Sequence, residues 1–194
     1  MALTTGIVVF PGMEELDCVG PWEVFAMARR DGDRVVTIAE HGEPVAANLG
    51  MRIVPDHTFA DAPRLDVVVV PGGFGTRREV DNPVLLQWLA GAAATATWVT
   101  SVCTGALLLH AAGLVGGRRV TTHWAMVDTM RGHGVEVVDD ARYVRDGNVV
   151  TAAGVSAGID MALWIVGQVY DVDHARAVRK MMEYDPAPPY GALV

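Results

Sequence analysis

The stretch that decides the fold class is Asp66-Val-Val-Val-Val-Pro71-Gly72-Gly73. Its four consecutive valines show no alternation of apolar and polar side chains. An unbroken β-branched run of this length is typical of a parallel strand whose two faces are both buried. The Pro-Gly-Gly that follows ends the strand in a turn. We therefore expect a parallel sheet at the centre of the chain.

Strand-length apolar runs alternate with helix-length segments on both sides of this stretch, which indicates an α/β fold with a mostly parallel sheet. Further strands are predicted at residues 6–10, 35–39, 98–102, 142–145 and 149–152. Helices are predicted at residues 21–30, 83–96, 104–112, 156–170 and 172–183. Residues 45–55 are expected to form a small hairpin or an excursion from the sheet, with Gly50 near its turn. Without a linker or repeat, the sequence predicts a single domain over residues 1–194.

Local signals place several ends of these elements. Pro21 is expected at the first position of its helix, where its missing N–H costs nothing. Asn82 is the predicted N-cap of the following helix, and Gly113 the C-terminal cap of the helix after that. Asp146-Gly147-Asn148 predicts a tight hairpin turn. The proline-rich residues 185–190 cannot be helical and are expected to lie extended over the surface.

Composition argues against several classes of partner. The formal net charge is −8, and Lys180 is the only lysine, so the basic face that nucleic acids and anionic membranes require is not expected. No apolar stretch approaches the roughly 20 residues that cross a bilayer. The first residues show neither a basic region nor a cleavage site typical of a secretory signal. A cytoplasmic protein with a small-molecule substrate is the expectation.

Chemistry is predicted at Cys103, one of two cysteines. Cys18 and Cys103 form neither a disulfide framework nor a C-x-x-C pair. Cys103 directly follows a buried strand and precedes a helix, with Gly105 beside it, which is the arrangement of a nucleophile elbow. The helix N-terminus is expected to lower the thiol pKa from its usual value near 8.5. A buried core thiol is the alternative left open here, and at Cys18 it is the favoured interpretation.

A cysteine that attacks an unsaturated carbon needs hydrogen-bond donors and an acid–base group. The backbone N–H groups of Gly72, Gly73 and Thr104 are the predicted oxyanion donors. Asp17, in the acidic cluster after the first strand, is the predicted acid–base group, although capping of the next helix is an alternative role for it. His123 is interpreted as a structural hydrogen-bonding residue rather than a catalytic base.

These motifs resemble the ThiJ/PfpI superfamily of class I glutamine amidotransferase-like proteins, and within it the isocyanide hydratase branch. The resemblance rests on F-P-G-M-E-E-L-D-C-V-G-P-W-E-V (10–24), V-P-G-G (70–73), S-V-C-T-G-A-L-L-L-H-A-A-G-L (101–114), T-T-H-W (121–124), R-D-G-N-V-V-T (145–151) and E-Y-D-P-A-P-P (183–189). It implies a flavodoxin-like three-layer sandwich and a homodimer without metal or organic cofactor. It also implies Cys103 as nucleophile, Asp17 as acid–base group and Thr104 beside the nucleophile.

The implied activity is that of a hydro-lyase, which adds water to an isocyanide through a covalent thioimidate and releases an N-substituted formamide. The peptidase-like branch has histidine after its cysteine, where this chain has Thr104, so peptidase or deglycase activity is not expected. Two alternatives remain open. One is a cysteine-dependent enzyme acting on glyoxals or other small electrophiles. The other is a non-catalytic redox or ligand-sensing domain, as in AraC-type regulators, although no helix-turn-helix region follows before Val194.

Overall fold

A central sheet organises the protein, and the computed structural model describes residues 2–187. Within these residues the sheet has seven strands, β1 (Thr4–Val8), β2 (Arg34–Ala39), β5 (His57–Thr58), β6 (Val67–Val70), β7 (Trp98–Val102), β10 (Tyr143–Asp146) and β11 (Val149–Ala152). They lie in the order β10-β11-β7-β6-β1-β2-β5. All neighbours are parallel except β10 and β11, which form the antiparallel hairpin at one edge.

Two small ladders lie outside this sheet. One is the antiparallel pair β3 (Val45–Ala46) and β4 (Arg52–Ile53), the hairpin predicted within residues 45–55. The other is the parallel pair β8 (Arg119–Val120) and β9 (Glu136–Val137). The helices are α1 (Glu15–Ala28), α2 (Thr76–Glu79), α3 (Pro83–Thr95), α4 (Gly105–Ala111), α5 (Val127–Gly132), α6 (Ala157–Val169) and α7 (Val172–Met181). A short 3₁₀ turn, Trp124–Met126, precedes α5.

The order of the strands explains why helices cover both faces of the sheet. The chain moves from β1 to β2 in one direction across the sheet and from β6 to β7 in the other. Because parallel crossovers are right-handed, α1 and α3 are placed on opposite faces. Helices α1, α6 and α7 pack together, and α3 packs on α4. The predicted α/β, flavodoxin-like three-layer sandwich with a mostly parallel sheet is confirmed.

Strand β6 lies near the middle of the sheet, as its valine run predicts. It pairs with β1 on one side and β7 on the other, and Val67–Val70 are completely buried. The carboxyl ends of β1, β6 and β7 therefore meet at one edge, where ligands bind in open α/β sheets. The loops that follow these three strands carry the candidate site.

The start of α1 differs from the prediction. The helix begins at Glu15, so Pro21 lies inside it rather than at its first position. The loop before it is held to the loop after β6, because the Glu14 N–H donates to the Gly72 carbonyl at 2.9 Å. Asp17 and Cys18 are then buried in the first turns. Burial of these turns outweighs the local preference of proline, as tertiary contacts often outweigh propensity.

Other predicted ends are confirmed. Asn82 caps α3 by accepting from two backbone N–H groups, and Pro83 is its first residue. Gly113 and Gly147 have the positive φ that their turns require. Across residues 2–187, none of the helices has both the length and the apolar character that a membrane crossing needs. Of the predicted extended tail, Asp185–Ala187 has no regular structure, and residues 188–190 lie outside the described residues.

Candidate active site

Cys103 sits at a sharp turn between β7 and α4. Its φ of 56° lies in the left-handed region, which non-glycine residues seldom adopt and which costs roughly 1–3 kcal/mol. The turn is held from both sides: the Cys103 N–H donates to the Ala153 carbonyl at 2.7 Å, and the Thr122 hydroxyl donates to the Cys103 carbonyl at 2.9 Å. The predicted nucleophile elbow is therefore present in its geometry.

Glycines let the neighbouring backbones approach this turn closely. A Cβ atom on Gly105 would meet the carbonyl oxygen of Val70 at the end of β6. A Cβ atom on Gly72 would meet the backbone nitrogen of Thr104. Strand β6 and the start of α4 thus pack so tightly that side chains are excluded from between them, which fixes the position of Cys103 above the sheet.

Gly105→Ala is expected to lower the free energy of unfolding by about 3 kcal/mol, because rigid backbone must move to admit the methyl group. The matched control is Gly91→Ala in α3, where no atom lies within 4 Å of the added Cβ. That substitution is expected to raise stability by about 0.5–1 kcal/mol. Urea unfolding of both variants checks this. Equal midpoints would show that the close approach at Gly105 is unimportant.

Asp17 is completely buried in the first turn of α1, beside the Cys103 thiol. Its Oδ2 accepts from the Gly72 N–H at 2.8 Å, whereas its Oδ1 has no hydrogen-bond partner among the described residues. Burial raises the pKa of Asp17 to about 7, although the Gly72 hydrogen bond opposes the shift. Capping, the alternative role for Asp17, is wrong, because Glu14 occupies the N-cap position.

The expected lowering of the Cys103 pKa is wrong. Burial and the nearby Asp17 carboxylate raise the pKa of this thiol to about 12. The backbone N–H groups of Thr104 and Val155 oppose the shift, so the helix start acts in the predicted direction but is outweighed. At neutral pH the thiol therefore keeps its proton unless the carboxyl beside it accepts that proton.

A cavity of about 210 Å³ opens over the Cys103 thiol. Its walls are formed by Glu14, Gly73, Phe74, Arg77, Cys103, Thr104, His123, Ala125 and Val155. Cys103 is only 6% exposed, so a reactant must enter this cavity to reach the sulfur. No group of three or more histidine, cysteine or acidic side chains suited to a metal ion occurs among residues 2–187.

The chain is similar to known proteins over most of its length. A family model described as "DJ-1/PfpI family" matches residues 5–168. Isonitrile hydratase of Pseudomonas putida is 43% identical over 190 residues, which cover 98% of this chain and 82% of that protein. A solved ThiJ/PfpI family protein from Pseudomonas syringae has a TM-score of 0.93 at 38% identity, and the match covers 100% of this chain and 80% of that one. The chain belongs to the DJ-1/PfpI family.

Transcriptional regulators are also similar to this chain. CdhR, an HTH-type regulator of Pseudomonas aeruginosa, is 30% identical over 84% of this chain but only 49% of its own length. An AraC family regulator from Pseudomonas putida shares the fold, with a TM-score of 0.81 at 20% identity. Membership of the DJ-1/PfpI family therefore leaves both catalytic and sensing roles to be decided at the site.

Thr104, which follows Cys103 in the elbow, is hydrogen-bonded to the loop after β6. Its Oγ1 accepts from the Gly73 N–H at 2.9 Å and lies 3.1 Å from the Thr76 hydroxyl. The Gly72 N–H is likewise engaged, by Asp17. Neither glycine N–H is free in this arrangement, which corrects the assignment of Gly72 and Gly73 as oxyanion donors. The N–H groups that face the sulfur are those of Thr104 and Val155.

Two further residues singled out from the sequence have roles in packing. The Nδ1 of His123 accepts from the Ala125 N–H at 3.2 Å and caps the 3₁₀ turn, as expected of a structural histidine, while the ring also lines the cavity. Burial and Arg77 lower the pKa of His123. Cys18 is buried in the core, and that burial raises the pKa of its thiol to about 12. The buried-core interpretation of Cys18 is confirmed.

Sequence reasoning missed several walls of the cavity. Phe74, Arg77 and Val155 belong to no motif that predicts a site, and Glu14 is one member of the acidic cluster Glu14, Glu15 and Asp17, from which the sequence singles out only Asp17. Arg77 could have been suspected, because it follows the Gly72-Gly73 turn at the same edge of the sheet. Val155 could not, because only the pairing of β11 with β7 brings the loop after β11 next to the elbow.

Proposed function

We propose that this protein hydrates isocyanides to N-substituted formamides, with Cys103 as nucleophile and Asp17 as the proton-transfer group. One observation supports this above all: a cysteine in a left-handed elbow lies beside a buried carboxyl whose pKa is about 7. The ionised carboxyl can accept the thiol proton, and the N–H groups of Thr104 and Val155 offset part of the unfavourable difference between the two pKa values. The similarity to an isonitrile hydratase over 98% of the chain supports the choice of substrate.

In the first stage Asp17 accepts the thiol proton, and the resulting thiolate attacks the terminal carbon of the isocyanide. The carbon lone pair then takes the proton back from Asp17, which gives a thioimidate with a new S–C and a new C–H bond. The N–H groups of Thr104 and Val155 stabilise the sulfur while it carries negative charge. This stage consumes no water.

In the second stage water adds across the C=N bond of the thioimidate. Asp17 accepts a proton from the water and passes it to the nitrogen, so that carbon carries hydroxyl, hydrogen, nitrogen and sulfur and Asp17 is ionised again. Collapse breaks the S–C bond, and the hydroxyl proton returns to the Cys103 sulfur through Asp17. The net reaction is one isocyanide plus one water giving one formamide. Division into two stages lowers the barrier of each.

The cavity walls are suited to an apolar substituent on the isocyanide nitrogen. Phe74, Ala125 and Val155 offer apolar surface, whereas Glu14 and Arg77 provide the polar part of the wall. A single small-molecule substrate of modest size is therefore proposed. The same proposal includes a homodimer in the cytoplasm that needs no metal or organic cofactor for the reaction.

An assay with alkyl and aryl isocyanides, run beside methylglyoxal, tests the proposal. We expect formamide to accumulate. We expect kcat/KM for methylglyoxal to be at least about 100-fold lower than for the isocyanide, because the cavity stabilises the charge of the isocyanide transition state better. NMR of the products and mass spectrometry of the quenched protein, with an adduct mapped to Cys103, provide the readouts. Faster turnover of methylglyoxal would favour the glyoxal alternative.

A non-catalytic sensing domain is the second candidate, and the match to the CdhR regulator favours it. The high pKa of Cys103 is also what an unreactive thiol would have. The two functions differ in a simple experiment, since a sensor would bind an isocyanide without releasing formamide. Absence of product after many equivalents of substrate, with the ligand still bound, would establish the sensing role.

A further inference from the structure

A second cavity, of about 340 Å³, lies on the other side of β1 from Cys103. It opens where β1 and β2 end, and α2, α3 and the loop before β3 complete its walls. It shares no lining residue with the Cys103 cavity. Helix α2 separates the two, because Arg77 lines the Cys103 cavity while Arg78 and Glu79 line this one. Its volume falls within the range of small-molecule sites.

The inner wall of this second cavity is apolar. Val9, Phe10, Ala39 and Leu85 are each at most 3% exposed and contribute the wall atoms nearest the core. Phe59 extends this surface and is held by stacking on Trp88, with ring centroids 4.5 Å apart. A rigid apolar wall with a few polar groups at one side is the usual construction of a small-molecule site.

The positive and hydrogen-donating groups at the rim are matched within the protein. Arg78 donates from Nε and Nη2 to Glu79 Oε1 at 2.9 and 2.6 Å, and from Nη2 to the Pro11 carbonyl at 2.8 Å. The Asn82 amide donates to Glu40 Oε2 at 2.8 Å and to Glu79 Oε2 at 2.9 Å. Glu79, which is 5% exposed, is thus fully paired despite its burial.

Two carboxylates at the rim of this cavity have no arginine or lysine partner within the described residues. Glu40 and Glu43 also line the cavity, and within residues 2–187 no arginine or lysine forms an ion pair with either of them. His41 lies 3.5 Å from Glu40 Oε1, but its side chain is 76% exposed and can turn into solvent. A ligand that complements this rim must bring hydrogen-bond donors and positive charge, because the remaining groups are acceptors.

We propose that this second cavity binds a small organic cation, namely a primary amine carried on a compact apolar body. The ammonium group lies against Glu40 and Glu43, and the apolar body packs on Phe10, Leu85 and Phe59. This assignment does not depend on the proposed reaction at Cys103. Charge-assisted hydrogen bonds to the ammonium and burial of the hydrocarbon both stabilise the complex.

Calorimetric titration of the full chain with cyclohexylmethylamine tests the proposal, with cyclohexylmethanol and cyclohexanecarboxylate as matched neutral and anionic probes. We expect the amine to bind at one site per chain and at least tenfold more tightly than the alcohol, with the carboxylate weakest. In the Glu40→Gln/Glu43→Gln variant the preference for the amine over the alcohol is expected to fall below twofold.

Two controls separate this site from other sources of affinity. Glu136→Gln/Asp128→Asn removes the same two charges from exposed positions elsewhere, and we expect the amine to bind it as tightly as the wild-type protein. Cys103→Ala is also expected to keep full affinity for the amine. The proposal is overturned if no amine binds, if the two charge variants weaken binding equally, or if Cys103→Ala loses it.

Discussion

Cys103→Ala is expected to lower kcat/KM for isocyanide hydration by at least about 10⁴-fold, because the covalent route requires the sulfur. Removing a nucleophile leaves only the binding and electrostatic contributions of the cavity, which cannot replace the new S–C bond. The fold is expected to survive, since the thiol is small and the hydrogen bonds that hold the turn use the backbone groups of Cys103 rather than its side chain. Formamide production followed by NMR, with the circular dichroism spectrum of the variant, provides the measurement.

Two matched variants show whether the loss is chemical. Cys18→Ala removes the other buried thiol and is expected to keep turnover within about threefold of wild type, at a modest loss of stability. Cys103→Gly is expected to be as inactive as the alanine variant but about 1 kcal/mol more stable than it, because glycine adopts a φ of 56° without strain. Turnover that persists in Cys103→Ala would exclude the covalent mechanism.

The sequence predicts those parts of the fold whose signal is local. The valines of β6, the Asn82-Pro83 start of α3 and the Gly147 turn depend on residues next to each other, and each is found where expected. By contrast, β5, β8 and β9 have two residues each and depend on pairing with segments distant in sequence. Strand β5 pairs with the end of β2, and β8 and β9 pair with each other. The start of α1 differs from the prediction for the same reason, because a hydrogen bond to the loop after β6 places it.

The candidate site shows the same division between local and distant causes. The elbow at Cys103 follows from a strand, a helix and small residues that are adjacent in sequence. The thiol pKa does not, because burial and the Asp17 carboxylate come from the packing of α1 against the sheet. The N–H groups of Gly72 and Gly73 likewise donate to Asp17 and Thr104, which are distant from them in sequence.

Asp17→Asn is expected to lower kcat/KM by about 10²–10⁴-fold, the usual contribution of a positioned proton-transfer group. In the wild-type protein we expect kcat/KM to rise with pH through about 7, because only the ionised carboxyl can accept the thiol proton. That rising limb of the pH profile is expected to disappear in Asp17→Asn. Glu15→Gln, two residues away on the same helix, is the matched control and is expected to keep both the rate and the limb. A limb near pH 7 that persists in Asp17→Asn would assign it to another group.

The same substitution is expected to stabilise the protein above neutral pH. Because the pKa of Asp17 is about 7 in the folded chain and 3.8 is its ordinary value, the folded state binds more protons between these values, and stability falls as pH rises through this window. Asparagine keeps an oxygen for the Gly72 N–H but carries no charge to bury. At pH 8 we expect Asp17→Asn to raise the free energy of unfolding by on the order of 2–4 kcal/mol, and at pH 4 to leave it nearly unchanged. Urea unfolding at the two pH values measures this difference, and a gain in stability combined with a loss of turnover would identify Asp17 as a residue whose burial serves proton transfer rather than folding.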